Sequence, residues 1–327
     1  MPLSGVFFIP SNPNAATALG TVTERLTSLF ADEATPVSRW ALEHKLMRDT
    51  PSCLPPSGTQ RPAFPKFMQF LSLTYYPNHG FIYTSQQSDN AGTAPDTAAA
   101  TPSSSQSTQA TPATTPMVMT TVPLSSTGAL YQHFSYACQP FWCHRHTVTV
   151  PNGVVYEIGD FRVRVGDVRQ TQPAVRMRGT VVEIEWRGPS LSTTLSGLYQ
   201  SQRQKKAAAH NPYTWGNGDE DDDDSGIDMA FPDSVEEADI EAEYAATTSL
   251  IREFWAKLGI EGAREAILVP DVGKEVKERL RKLKQQGKQG VDRVGQDSSG
   301  PQLDEDPDPD AGVDVARQFM EIFRFNR

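Results

Sequence analysis

Two segments in the second half of the chain, FRVRV and VVEIEW, alternate strictly between apolar and polar residues. Strict alternation is typical of a strand that buries one face only. The apolar faces carry mainly valine, while the other faces carry Arg162 and Arg164 on one strand and Glu183 and Glu185 on its neighbour. Antiparallel pairing would set these opposite charges against each other and reinforce the register. Because the charges are expected on the solvent side, each pair would add only about 0.2–1 kcal/mol.

Apolar patterns elsewhere predict a mixture of further strands and helices. Predicted strands, recognised by alternation or by short apolar runs between turn residues, are Val6–Ile9, Val37–Met47, Lys66–Tyr76, Phe81–Ser85 and the second half of Ala129–Val150. Predicted helices, recognised by apolar spacings of three and four, are Ala15–Leu29, the first half of Ala129–Val150 and Ser234–Gly259. The antiparallel hairpins and separate helices indicate an α+β domain.

The last segment, DVARQFMEIFRFNR, predicts a helix over residues 313–326 with an unusually wide apolar face. Phe319, Met320 and Phe323 are therefore candidate docking or partner-interface residues. They are expected to pack on their own domain or on a neighbouring protein, and the pattern alone does not choose. Packing on the same chain is favoured, because a free apolar helix would promote aggregation.

Long polar stretches interrupt these elements, and they predict one domain over residues 1–327 with large insertions. Residues 86–115 are rich in Ser, Thr and Pro and are expected to be disordered; residues 203–232 form an acidic loop. Residues 263–310 are expected to be mostly linker with a basic helical segment. The acidic run is interpreted as a spacer or an interaction tail, and the basic segment as a solvated helix face or a nuclear import patch.

Charge and cysteine usage narrow the classes of function. The net charge of −10 disfavours direct nucleic-acid binding, since phosphate would be repelled. Three cysteines in 327 residues do not form a disulfide framework, which favours a reducing compartment. The sequence shows neither a secretory leader nor a membrane-spanning stretch, and it lacks the Gly-rich phosphate loop, the G-x-S-x-G motif and the dinucleotide motif. No cofactor is expected.

Two clusters of residues are candidates for a metal-binding or catalytic site. Cys138, Cys143, His144 and His146 are zinc-ligand types, but their spacing is crowded, and on a strand Cys143 would point away from the histidines. Strand packing is the favoured interpretation, and no metal site is expected.

Glu183, Glu185 and Arg187 offer a second possibility, because two carboxylates two residues apart on a strand share a face and can hold a divalent ion. If that face lined a tunnel, the pattern would resemble the ExExK motif of metal-dependent tunnel triphosphatases. Since the alternate apolar residues claim the core more strongly, this remains the alternative function.

Several segments together resemble the family of Mediator subunit 20, as a fungal-type member with long insertions. The segments, in the order of the family, are QFLSLTYYPNHGFIY, YEIGDFRVRVGDV, RGTVVEIEW, LIREFWAKLG and VARQFMEIF. The resemblance implies a closed or nearly closed antiparallel β-barrel of about eight strands with flanking helices. It also implies a non-enzymatic head-module subunit in the nucleus, paired with the subunit 18 barrel and tethered by the carboxy-terminal helix of subunit 8. Through these partners it would relay signals to RNA polymerase II and initiation factors.

Overall fold

The computed structural model describes residues 3–11, 17–31, 33–53, 65–86, 118–139, 141–189, 237–267 and 311–325. Nine strands are β1 (Ser4–Pro10), β2 (Thr35–Asp49), β3 (Lys66–Leu73), β4 (His79–Gln86), β5 (Val118–Pro123), β6 (Trp142–Ile158), β7 (Phe161–Gln172), β8 (Arg176–Trp186) and β9 (Arg264–Ala266). The described residues also form four helices, α1 (Leu19–Leu29), α2 (Leu124–Tyr136), α3 (Glu237–Leu258) and α4 (Val313–Phe323). The α+β class predicted from the sequence is confirmed.

All nine strands belong to one antiparallel sheet, in the order β5-β4-β3-β2-β6-β7-β8-β1-β9. The outermost described strands, β5 and β9, are not paired with each other, so the sheet is not closed into the barrel that the resemblance to the family implied. The sheet nevertheless curls, because α4 contacts both β1 and β9 near one edge and β3 and β4 near the other. A helix therefore fills the space that barrel closure would have used.

The face of the sheet that surrounds α4 is called the inner face here. Helix α4 is buried on nearly all sides, which is typical of a core helix rather than a surface helix. Its one buried amide, Gln318, donates hydrogen bonds from Nε2 to the carbonyl oxygens of Ser4 at 2.6 Å and Ile267 at 3.1 Å. These bonds connect the helix to both β1 and the residue that follows β9.

The opposite, outer face is covered by two separate groups of helices. Helices α1 and α3 pack over β1, β6, β7 and β8, where Phe7 stacks on Trp255 with 4.2 Å between ring centroids. Helix α2 packs over β2, β3 and β4, where Met47, Met68 and Phe70 are buried. Helix α2 itself has no fully buried residue. The sheet is therefore covered on both faces, more thinly over the β3–β4 end.

Some element boundaries agree with the prediction from the sequence, and others differ from it. Helix α3 ends at Leu258 and Gly259 follows with φ +61°, which agrees with the predicted glycine stop. The proposed linker over residues 263–310 begins with the short strand β9, which the sequence pattern did not predict. The Ser/Thr-rich segment 87–115, the acidic loop 203–232 and the basic helical segment after residue 267 lie outside the described residues.

Candidate functional site

A cluster of charged residues is buried on the inner face, where β7 and β8 pair. Nη1 of Arg164 lies 2.8 Å from Oε1 of Glu183 and 2.7 Å from Oε2 of Glu185, and all three side chains are buried. The Tyr75 hydroxyl donates a 2.6 Å hydrogen bond to Glu183 Oε2, and the Arg164 guanidinium lies 3.9 Å from the centre of the Tyr75 ring. This group of four side chains is called the Arg164 cluster.

The register of the sheet explains why these residues meet. Arg164 is paired directly with Glu183, and Arg162 with Glu185, as the alternating charges predicted. The predicted exposure is wrong for Arg164, Glu183 and Glu185, because all three are buried on the inner face, where Tyr75 from the β3–β4 connection packs on Arg164 and bonds Glu183. Arg162 instead bonds Glu157 at 2.7 Å near the surface. The charges are therefore part of the core and not of a solvated face.

Burial governs the ionisation of this cluster. Desolvation raises the pKa of Glu183, while the positive charge of Arg164 opposes that rise. Desolvation also raises the pKa of Tyr75 well above its usual value, and the neighbouring Glu183 adds to the increase. The tyrosine thus remains a hydrogen-bond donor to the carboxylate throughout the physiological range.

The triphosphatase alternative gains no support from this geometry. Both carboxylates that were expected to hold a metal ion are already bound to Arg164. Arg187, expected to contact phosphate, lies at the surface and bonds Glu157 at 3.0 Å. The three residues of the proposed motif are therefore not brought together.

A second polar cluster lies at the other end of α4. Nε2 of His146 donates a 3.1 Å hydrogen bond to the carbonyl oxygen of Phe323, the last residue of the helix. His44 is buried beside it, with 6.0 Å between the two imidazole centroids, and its Nε2 lies 2.9 Å from Gln69 Oε1. This group is called the histidine cluster. Desolvation lowers the pKa of His44 to about 3 and that of His146 to about 4, so both are neutral at pH 7.

The cysteine and histidine residues that resembled zinc ligands are separated by this arrangement. His146 bonds α4, whereas His144 Nε2 lies 3.0 Å from the Thr147 hydroxyl oxygen, and Cys143 lies beside Cys53. Among the described residues, no group of three or more His, Cys, Asp or Glu side chains is arranged to hold a metal ion.

Phe319, Met320 and Phe323, the candidate docking residues, are fully buried against the inner face of their own chain. Phe319 lies 6.0 Å from Trp40 between ring centroids, and Phe323 lies 6.4 Å from Phe8. Their side chains therefore contribute to the core of this domain.

An exposed apolar surface surrounds α2, and sequence analysis did not single it out. Tyr136 at the end of the helix is 77% exposed and Phe141, in the connection to β6, is 67% exposed. Leu130 and Phe134 pack on the outer face instead. Helical spacing places residues 130 and 134 on one stripe of the helix and residue 136 off it. This spacing is the sequence signal that separates the packed side chains from the exposed one. We call the surface formed by the exposed Tyr136 and Phe141, together with the edge strand β5 that α2 contacts, the α2 surface.

Within the described part of the chain, every helix is too short or too polar to span a lipid bilayer. No curated protein is significantly similar in sequence. Among solved structures, the PH1819 protein from Pyrococcus horikoshii OT3 is 10% identical, with 61% of this chain and 85% of that chain covered. Its TM-score of 0.24 is too low to support any conclusion about fold or function.

A family model matches residues 1–324, nearly the whole sequence. The family is described as the TATA-binding related factor (TRF) of subunit 20 of the Mediator complex. The segments that resemble the family in sequence lie in β3–β4, β6–β8, α3 and α4 of the fold. The chain belongs to this Med20 family, and it is accordingly a subunit of the Mediator transcription complex.

Proposed function

We propose that this protein is a non-enzymatic head-module subunit that pairs with Mediator subunit 18, and that the carboxy-terminal helix of subunit 8 tethers the pair to the rest of the head. In that position it relays regulatory signals to RNA polymerase II and initiation factors. The match of residues 1–324 to the Med20 family carries the proposal. The buried charged residues support it as well, because the Arg164 cluster is engaged in holding the fold together rather than open to a substrate.

The α2 surface supports a partner at this end of the molecule. Among the described strands, β5 lies at one edge of the sheet, and its sequence, VMTTVP, contains no charged residue. Proteins commonly protect an exposed sheet edge with charges, since an uncharged edge accepts another strand or an adjacent surface. Val118 at the start of β5 is exposed and apolar. An edge of this kind is suited to permanent coverage by another subunit.

Two aromatic side chains, one at the end of α2 and one in the connection to β6, are suited to anchor the contact. Tyr136 and Phe141 are largely exposed, and buried aromatic residues provide much of the binding energy at protein interfaces. Helix α2 also packs on the outer face without any fully buried residue, so a partner would complete its burial. We therefore assign the contact with subunit 18 to the α2 surface.

Coexpression with tagged subunit 18 and the carboxy-terminal helix of subunit 8, followed by size exclusion with light scattering, tests the pairing. We expect a stable complex containing one copy of each chain. The double variant Tyr136→Ser/Phe141→Ser should weaken binding to purified subunit 18 by about tenfold or more, since removing one interfacial aromatic anchor commonly costs 2 kcal/mol or more.

Val175→Ser is the matched control, because Val175 is 84% exposed but lies in the β7–β8 turn, several strands from β5. It should leave the affinity unchanged. A folded monomer in the presence of folded subunit 18 would contradict the pairing itself. Full affinity in the double variant would instead place the contact elsewhere on the domain.

A further inference from the structure

Two of the three cysteines meet at one end of the sheet, although 90 residues separate them in the sequence. The Sγ atoms of Cys53 and Cys143 lie 3.1 Å apart. Cys53 ends a short 3-10 turn, Pro51–Cys53, immediately after β2, and Cys143 is the second residue of β6. A disulfide has its sulfur atoms about 2.0 Å apart, so the two side chains need to approach by only about 1 Å.

The backbone fixes both cysteines in place. Cys143 is paired with Arg48 in the β2–β6 ladder, so it lies on a regular part of the sheet. The turn that carries Cys53 is held by hydrogen bonds from the Thr50 amide to the Phe141 carbonyl and from the Cys53 amide to the Thr50 carbonyl, both 2.9 Å. The β2–β6 ladder and these backbone hydrogen bonds therefore place the two cysteines side by side.

The two thiols differ in their surroundings. Cys53 is exposed, whereas Cys143 is partly buried and lies 3.2 Å from the Arg48 carbonyl oxygen, to which its S–H donates. Burial and the neighbouring Cys53 raise the pKa of Cys143 to about 11, although Arg145 and Arg48 act in the opposite direction. Cys143 therefore remains a protonated thiol, while Cys53 is the sulfur that a solution oxidant reaches first.

We propose that Cys53 and Cys143 form a reversible disulfide when the protein meets a hydroperoxide. Cys53 sulfur attacks one peroxide oxygen, the O–O bond breaks, and the departing hydroxide takes the Cys53 thiol proton, which gives a Cys53 sulfenic acid and one water. Cys143 sulfur then attacks Cys53 sulfur, the S–O bond breaks, and the departing hydroxide takes the Cys143 proton to leave as a second water. The two thiols lose two electrons in total, and the peroxide gains them.

The bond would have a structural effect distinct from partner binding. It closes a covalent loop that contains β3, β4, β5 and α2, because all four elements lie between the two cysteines. Cross-links that close long loops restrict the unfolded chain most strongly. In the reducing compartment that the cysteine content favours, such a bond is transient and is reversed by thiol exchange. The oxidised protein would thus hold the thinly covered end of the sheet more firmly.

Peptide mapping by mass spectrometry under non-reducing conditions tests the proposal on the full chain. After treatment with hydrogen peroxide we expect one intramolecular cross-link, Cys53 to Cys143, that disappears on treatment with dithiothreitol. The melting temperature of the oxidised protein should exceed that of the reduced protein by roughly 5 °C.

Cys138→Ser is the matched control, because Cys138 lies five positions before Cys143 and should not take part. This variant should keep both the cross-link and the rise in melting temperature, whereas Cys53→Ser should lose both and still fold. Oxidation of Cys53 only to sulfinic acid, a cross-link between molecules, or a bond that uses Cys138 would each overturn the proposal.

Discussion

Buried polar groups lie near both ends of α4, and they are charged near one end and neutral at the other. Near its beginning, the Tyr76 ring packs on Gly312. Burial raises the pKa of Tyr76, the nearby Glu183 and Glu185 add to the rise, and Arg164 opposes it. At its end, neutral His146 bonds the carbonyl of Phe323, and His44 lies beside it. The first end is thus surrounded by ionised groups and the second by uncharged imidazoles.

The difference follows the electrostatics of a helix. A helix N-terminus carries partial positive charge and favours carboxylates, and a C-terminus leaves carbonyl oxygens that need donors. The Arg164 cluster holds two carboxylates against one guanidinium, so its excess charge has the sign that the N-terminal end favours. His146 supplies a donor without adding a buried charge. The C-terminal carbonyl of Phe323 therefore has a bonded donor, while the charged side chains near the other end of the helix depend on one another.

Replacing Arg164 with Met would disturb the comparison most. Two buried glutamates would lose their counter-charge, and removing one partner of a buried ion pair commonly costs about 3–5 kcal/mol. The free energy of unfolding, measured by urea denaturation, should fall by that amount. Arg162→Met is the matched control on the same strand; its loss should be far smaller, since its partner Glu157 is at the surface.

Replacing the whole charged group sharpens the same test. Arg164→Met combined with Glu183→Leu and Glu185→Leu removes the uncompensated charge, and it should recover most of the loss. A triple variant as unstable as the single variant would show that the packing of the cluster, rather than its charge, determines the loss of stability.

Acid should weaken the histidine end. Both histidines have a folded pKa below the unfolded value of 6.5, so the unfolded chain binds more protons below that pH. The stability they contribute is therefore complete above pH 6.5 and is lost as the pH falls toward about 4 for His146 and about 3 for His44. At pH 5 the loss is about 2 kcal/mol for each.

The raised pKa of Glu183 acts in the opposite sense, because its protonation favours the folded state as the pH falls. The contribution of the histidines is therefore measured by comparing the pH dependence of stability in the native protein with that in a histidine variant. His146→Asn keeps a donor for the Phe323 carbonyl but does not titrate, so its urea midpoint should depend less on pH between 7 and 5 than that of the native protein. Identical pH profiles would contradict the assignment.

Tyr75→Phe should lower the free energy of unfolding by less than Arg164→Met does, and by less than the two histidines together lose at pH 5. It removes the hydroxyl that donates to Glu183 Oε2 but keeps the ring beneath Arg164. A lost hydrogen bond to a buried charge costs about 1.5–3 kcal/mol, measured again by urea denaturation. Tyr76→Phe is the comparison, because Tyr76 meets α4 through its ring; an equal loss in both variants would remove the special role of the Tyr75 hydroxyl.

The alternating strands show what the sequence can and cannot predict. The pairing of Arg164 with Glu183 followed from charge complementarity alone, because residues opposite each other in an antiparallel ladder are set by local pattern. The burial of that pair did not follow, since it depends on Tyr75, which comes from the distant β3–β4 connection. Alternation indicates which residues share a face, and only the remaining elements decide whether that face meets water.

Barrel closure and the edge strand β9 illustrate a second limit. Residues 264–266 are too few to produce a periodic signal, and they become a strand because β1 offers them a partner. The wide apolar face of α4 predicted that the helix would be buried, but not that it would lie between the two edges of the sheet. Both outcomes come from contacts between residues far apart in the chain.

The position of α4 also sets the order in which this protein can fold during its synthesis. The helix fills the inner face, and Gln318 bonds the backbone of Ser4, which is 314 residues away. While the ribosome is still translating the preceding residues, Val6, Phe8, Leu71 and Phe81 lack the side chains that cover them. The nascent chain must therefore keep this surface from aggregating until α4 has emerged, so cotranslational chaperones are expected to hold it until then.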